Sequence, residues 1–205
     1  NIPLALDTVQ YKNELRQPFT ITKFKYYISN IHLHKTDGSL VPVDQYFLIN
    51  EDEPDSKTIT LSDIPTSQFT GIDFIIGVDS LHNCSGAQSG ALDPVNAMFW
   101  AWNTGYIFLK LEGKAAASKS PGHLFEYHIG GYQQPTNCIR TVSLQFPRAL
   151  TVGTDKELVL KTDAAEILKS PNTLDFSKLS SVTDFHNATT IADNYADMFS
   201  VSKIR

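Results

Sequence analysis

The sequence predicts an all-β protein: a single antiparallel two-sheet β-sandwich domain over residues 1–205, with a short C-terminal helix. Three observations lead there. Short apolar runs with aromatic and β-branched content recur along the chain, separated by turn signals. Several of them alternate apolar and polar residues, the period of a strand with one buried face. Helical spacing is confined to the tail and one short stretch, 164–168. No repeat, low-complexity tract or linker divides the chain, and 205 residues suffice to bury a core.

Residues 1–18 are polar with scattered apolar positions. Residues 19–33 read as one long strand, or two joined by a bend. Phe19 and Ile21 share one phase, Phe24, Tyr26 and Ile28 the other, and near the end Ile31 and Leu33 oppose His32 and His34. Thr36-Asp37-Gly38-Ser39 signals a hairpin turn into a strand within 40–50, centred on Tyr46-Phe47-Leu48-Ile49. Residues 51–57 form an acidic surface loop without the spaced pattern of a calcium site. A short strand at 58–61, broken by Ile64-Pro65, and a strand at 71–78 follow. The loop 79–98 is long for a compact domain, a length associated with function, and it carries His82 and Cys84. Leu92-Asp93-Pro94-Val95-Asn96 is a turn delivering the strand 98–113. Both tryptophans lie there, two apart, so an extended chain puts Trp100 and Trp102 on one face. Further strands are expected at 124–129, carrying His128 and ended by Gly130-Gly131, at 140–146, and at 158–160. Residues 164–168 read as a short helix closed before Pro171. Ile191, Tyr195, Met198 and Phe199 predict an amphipathic helix over 189–199, capped by Asn187 or Thr189.

The net charge is -5 and the 17 Lys and Arg are scattered, which argues against a nucleic-acid partner. No apolar run approaches the roughly 20 residues of a membrane span. There is no G-x-S-x-G, Walker loop, dinucleotide fingerprint or H-E-x-x-H, so an enzyme is not expected. Cys84 and Cys138 sit in polar, loop-like segments, where a disulfide between them is expected and two free thiols are the alternative. A disulfide implies an oxidising compartment. The chain starts at Asn1 without a Met, as a processed protein does.

Six histidines are present: His32, His34, His82, His123, His128 and His186. His32 and His34 on one strand face offer two imidazoles to a metal, against the plainer reading of two partly buried side chains. His128, between aromatic neighbours, reads as a core histidine or a ligand, and His186 as a ligand or a helix cap. With only two methionines, a transition-metal site here is imidazole-based and suits copper or zinc. The paired tryptophans read as core or as a binding platform.

Five blocks occur in order: Tyr26-Tyr27-Ile28-Ser29-Asn30-Ile31, Ile76-Gly77-Val78-Asp79, Leu92-Asp93-Pro94, Met98-Phe99-Trp100-Ala101-Trp102-Asn103-Thr104-Gly105-Tyr106 and Tyr127-His128-Ile129-Gly130-Gly131. Together they resemble the MbnP family of bacterial periplasmic or surface proteins, named for members in methanobactin operons. The resemblance runs from about residue 20 to the final helix, and M-F-W-x-W-x-x-G-Y is its most specific part. It implies an exported, copper-binding β-sandwich, periplasmic or at the cell surface, with a lipid anchor on a removed N-terminal segment as one route of attachment. In some members a tryptophan is oxidised to kynurenine by a di-haem MauG-like peroxidase. Opening the indole yields an aniline nitrogen and a ketone, so an apolar side chain becomes a metal ligand. The matching positions are Trp100 and Trp102, with Tyr106 closing the block. The resemblance carries His128 over through the His-Ile-Gly-Gly block, and His34 and His32 through the strand after Tyr-Ile-Ser. His82 lies where relatives place an Asn-His pair, here reversed as His82-Asn83, and His186 falls in a similar tail. The alternative is a surface interaction or glycan-binding module with Trp100, Trp102 and Tyr106 as its platform. Imidazoles meeting beside an indole favour the first reading; open indole faces favour the second.

Overall fold

A computed structural model describes residues 2–100, 105–154 and 157–205. Its longest element is β2 (Pro18–Lys35). Along its first half β2 pairs with β5 (Ile107–Ala115), from Phe19↔Ala115 to Tyr26↔Leu109. Along its second half, on the same edge, it pairs with β4 (Gln68–Ile76), from Ile28↔Ile76 to Lys35↔Phe69. Its other edge holds β1 (Tyr11–Lys12) and β3 (Leu40–Asn50). From β5 the sheet continues through β6 (Leu124–Gly130) to a short parallel strand, β9 (Ser181–Val182). From β4 it continues to β7 (Arg140–Thr151). One strand thus serves two wings of a single eight-stranded sheet, otherwise antiparallel.

The bend expected within residues 19–33 is a bulge. Pairing slips between Ser29 and Ile31, and Asn30 there has φ 50°. Asparagine tolerates this left-handed region better than most residues, and the added residue turns the strand. Before the bulge Phe24, Tyr26 and Ile28 are buried; after it the phase changes and Ile31 and Leu33 are.

A second sheet pairs β8 (Leu158–Thr162) with β10 (Phe199–Ile204). Phe199 closes onto the first sheet, its ring 5.0 Å from that of Phe74 and 5.7 Å from that of Tyr26. The two-sheet β fold with a short C-terminal helix is the predicted class. The helix, α2 (Ala188–Tyr195), buries Ile191 and Tyr195 completely. It stops four residues before the expected end, because the chain enters β10 at Phe199, and Met198 and Phe199 are buried without a continued helix. Other boundaries differ too. Residues 58–61 form no strand, and 164–168 contain only a 3-10 turn, Glu166–Leu168. Loop 79–98 contains a short helix, α1 (Ser80–Cys84). No helix among the described residues is long and apolar enough to cross a membrane.

Candidate functional site

The loop between β4 and β5 is fastened by one buried side chain. Asn83 donates its amide to the backbone oxygens of Val78 and Asp79 and accepts the Tyr106 N–H at 2.9 Å. This ties α1 to the base of the tryptophan segment. That segment is a hairpin rather than the expected strand. The Trp100 N–H donates to the Gly105 oxygen at 3.0 Å and the Ile107 N–H to the Met98 oxygen at 2.8 Å. Gly105, with φ 147°, lets the chain turn back. Trp102 lies outside the described residues. Tyr106 is sealed at 1% exposure, donates its hydroxyl to the Leu92 oxygen at 2.8 Å, and packs edge-on to Tyr27 and Phe99.

His82 is held by two partners. Its Nδ1 lies 2.6 Å from the Tyr46 hydroxyl and 3.2 Å from both Asp79 carboxylate oxygens. The Tyr46 hydroxyl donates to Asp79 Oδ2. Burial pushes the Asp79 carboxyl up, but hydrogen bonds from Tyr46 and His82 outweigh it and hold it below the usual range. Burial, then the bond to Asp79, pushes the Tyr46 phenol well above its usual value. An ionised Asp79 with a protonated Tyr46 favours the imidazole proton on Nδ1 and leaves the Nε2 lone pair free to bind. His82 also lines a cleft of about 600 Å³, with Tyr46, Phe47, Gln88, Ser89 and Leu92 among its walls.

Trp100 lies close by in the chain but faces the protein. It is 5% exposed, its ring edge-on to Phe185 at 5.7 Å. A Cβ at Gly130 would come within 2.7 Å of the indole Cζ3, and one at Gly131 within 3.2 Å of Phe185 Cδ1. The two glycines after His128 thus make room for Trp100 and Phe185. His186, next to Phe185, is exposed. It does not cap α2; the N-cap is Asn187, whose side chain makes no capping bond.

The remaining expected ligands stand elsewhere. His128 Nε2 is 2.8 Å from Glu112 Oε1, and the other Glu112 oxygen is 3.2 Å from Lys23 Nζ. His34 Nε2 is 2.7 Å from Asp73 Oδ2, and His32 is the Cα partner of Asp73 across β2 and β4. Three histidines therefore rest on three different carboxylates. Among the described residues no group of three or more His, Cys, Asp or Glu is placed to hold a metal ion. The expected meeting of His128, His34 and His32 beside the tryptophans is not found, because strand register spreads them over both wings. Trp100 and Tyr106 offer no open ring face for a glycan platform. The expected disulfide is also corrected: both cysteines are free thiols. Cys84 Sγ lies 3.2 Å from the Tyr132 hydroxyl, while Cys138 is buried, its thiol pushed up to about 12 by that burial. Asp79, Tyr46, Glu112 and Asp73 are partners that sequence reasoning missed. Only Asp79 had a local signal, a cap residue three before His82.

The MbnP family model matches residues 1–187. Among solved structures, MbnP from Methylosinus trichosporium aligns with a TM-score of 0.51 at 16% identity, covering 84% of this chain and 76% of that one, a likeness of fold. No curated protein sequence matches. Since the family model spans nearly the whole chain, from the first residue into the segment before α2, the chain belongs to the MbnP family.

Proposed function

We propose that this chain is an exported, periplasmic or cell-surface copper-binding protein, with its centre beside α1 and the tryptophan hairpin. The observation that carries the placement is the Asp79–His82 pair. Metal-binding imidazoles characteristically give their second nitrogen to a carboxylate, which fixes ring and tautomer, and His82 is held this way at the mouth of a cleft. His82 would bind the ion through Nε2, and imidazole suits copper. Family membership supports the choice of metal. The described residues fit as one oriented imidazole. The segment that Asn83 ties to α1 carries Trp100. Oxidation of Trp100 or Trp102 to kynurenine by a di-haem MauG-like peroxidase would add an aniline nitrogen.

Copper titration of the full chain tests the placement. His82→Gln is expected to weaken binding by about 10-fold or more, and His128→Gln to leave it unchanged, since His128 is not among the residues lining the cleft. Full affinity in His82→Gln would remove the centre from α1. Peptide mass spectrometry after co-expression with the di-haem enzyme would show which tryptophan, if either, is converted.

A further inference from the structure

β3 pairs with β2 alone, so its outer edge carries no strand among the described residues. The register shows which of its backbone groups point outward. The Glu51 N–H donates to the Phe24 oxygen, while the Asn50 N–H turns away from β2 to Ser56 Oγ. Outward and inward residues alternate along an antiparallel strand, and the pairing runs unbroken from Lys25↔Asn50 to Ser29↔Tyr46. Tyr46 and Leu48 therefore face outward as Asn50 does, and Phe47 and Ile49 face β2. Among the described residues nothing bonds the N–H and C=O groups of Tyr46 and Leu48.

A groove runs along this bare edge. The cleft beside His82 and a second hollow of about 290 Å³ share Tyr46, Phe47 and Ala91, and the second continues past Leu48 to Ile59. From Asp44 to Leu48 the edge offers a partner roughly 17 Å of extended chain, at about 3.3 Å per residue. Exposed edges are usually guarded by proline or charge. Pro42 and Asp44 guard the start of β3, but Tyr46-Phe47-Leu48 has neither. The walls are acidic. Asp44 and Glu53 line the two hollows, and among the described residues no Lys or Arg does. The loop 51–57 adds Glu51, Asp52 and Asp55, and its lysine, Lys57, is taken by Glu51 at 2.6 Å. A second copy of the chain would bring the same acids against these, so the edge repels itself and attracts a cationic partner.

We propose that the outer edge of β3 receives an extended, lysine- or arginine-bearing segment of another polypeptide, which adds to the sheet as a further strand. Main-chain bonds to Tyr46 and Leu48 hold the segment, and the acidic walls select its charge. The site stands whether or not His82 binds copper.

The probe is a peptide alternating lysine with valine, titrated by calorimetry into the full chain with metal removed by EDTA, so that the copper titration is read separately. Binding is expected, with hydrogen exchange slowed at the Tyr46 and Leu48 amides and unchanged at Phe47 and Ile49, which already face β2. A peptide with glutamate in place of lysine should bind about 10-fold more weakly or worse. Asp44→Asn combined with Glu53→Gln should lower affinity for the lysine peptide by about 3-fold or more. Leu48→Pro removes an outward N–H and leaves the ladder to β2 intact, and should lower it by about 5-fold or more. If circular dichroism shows that Leu48→Pro does not fold, the exchange pattern and the charge variant decide. No binding, equal affinity for the two peptides, or binding that leaves exchange at Tyr46 and Leu48 unchanged overturns the proposal. So does self-association of the free chain that protects the same two amides, which would give the edge to a second copy.

Discussion

Gly130→Ala probes the shelf on which Trp100 rests. Gly130 has no left-handed backbone, so alanine meets no dihedral penalty there and only contact matters. The new methyl would stand 2.7 Å from Trp100 Cζ3 and 2.9 Å from Cη2, and closer still to the Tyr106 backbone oxygen. Ordinary contact begins at 3.4 Å, so the methyl must retreat about 0.7 Å from the indole and further from the carbonyl. The indole can tilt, but the Tyr106 oxygen belongs to the strand that pairs here, at Ile107↔Gly130. Overpacking costs about 1–3 kcal/mol, and a backbone obstacle places this case near 3. For a chain of this length that is a fall in Tm of roughly 6–12 °C. Thermal melts followed by circular dichroism and tryptophan fluorescence measure it. In a Trp100→Leu background the glycine substitution should cost about 1 kcal/mol less, because one of its two obstacles is gone. A Tm for Gly130→Ala within about 2 °C of the parent would refute the steric account.

Three further outcomes are expected. The Glu112 carboxyl is held at about 2, first by the hydrogen bond from His128 and then by Lys23, against an ordinary 4.5. Its folded value is the lower one, so its contribution of about 2–3 kcal/mol is complete above pH 4.5 and fades as pH falls toward 2. Urea midpoints for Glu112→Gln should show a flatter acid limb, and an unchanged limb would count against the triad with His128 and Lys23. Asn83→Ala removes three bonds to buried backbone groups and should cost about 2–4 kcal/mol. Faster hydrogen exchange at the Tyr106 amide is its local sign, and retained protection there would contradict the anchoring role. Iodoacetamide should label Cys84 in the native protein and Cys138 only after unfolding, since the latter thiol is buried and raised to about 12. Protection of both thiols from alkylation would contradict this placement.

The strands were legible where apolar and polar residues alternate and a turn signal follows. β2, β3, β4, β6 and the first part of β7 fall close to their expected spans. β10 was hidden because Met198 and Phe199 also satisfy a helical spacing, and burial alone does not distinguish the two periods. Trp100 was placed on a strand running through Gly105 by assuming extended backbone, whereas Gly105 turns the chain. His128 was correctly set on a strand. Its carboxylate lies on the adjacent strand, though, and register between strands 16 residues apart is not encoded in local periodicity. The same limit hid Tyr46 behind His82, 36 residues away. Cys138 has polar neighbours in sequence, but its own side chain turns inward, so its surroundings in the chain misreported its surroundings in space.

The double membership of β2 has a consequence for biogenesis. A chain made from its N-terminus completes this aromatic strand early, yet the partner of its first half begins only at residue 107. At about 5–20 residues per second, the edge bearing Phe19, Phe24 and Tyr26 waits unzipped for roughly 5–20 s after leaving the ribosome. That interval, more than the finished molecule, is where a holding chaperone would matter and where truncated chains would clump.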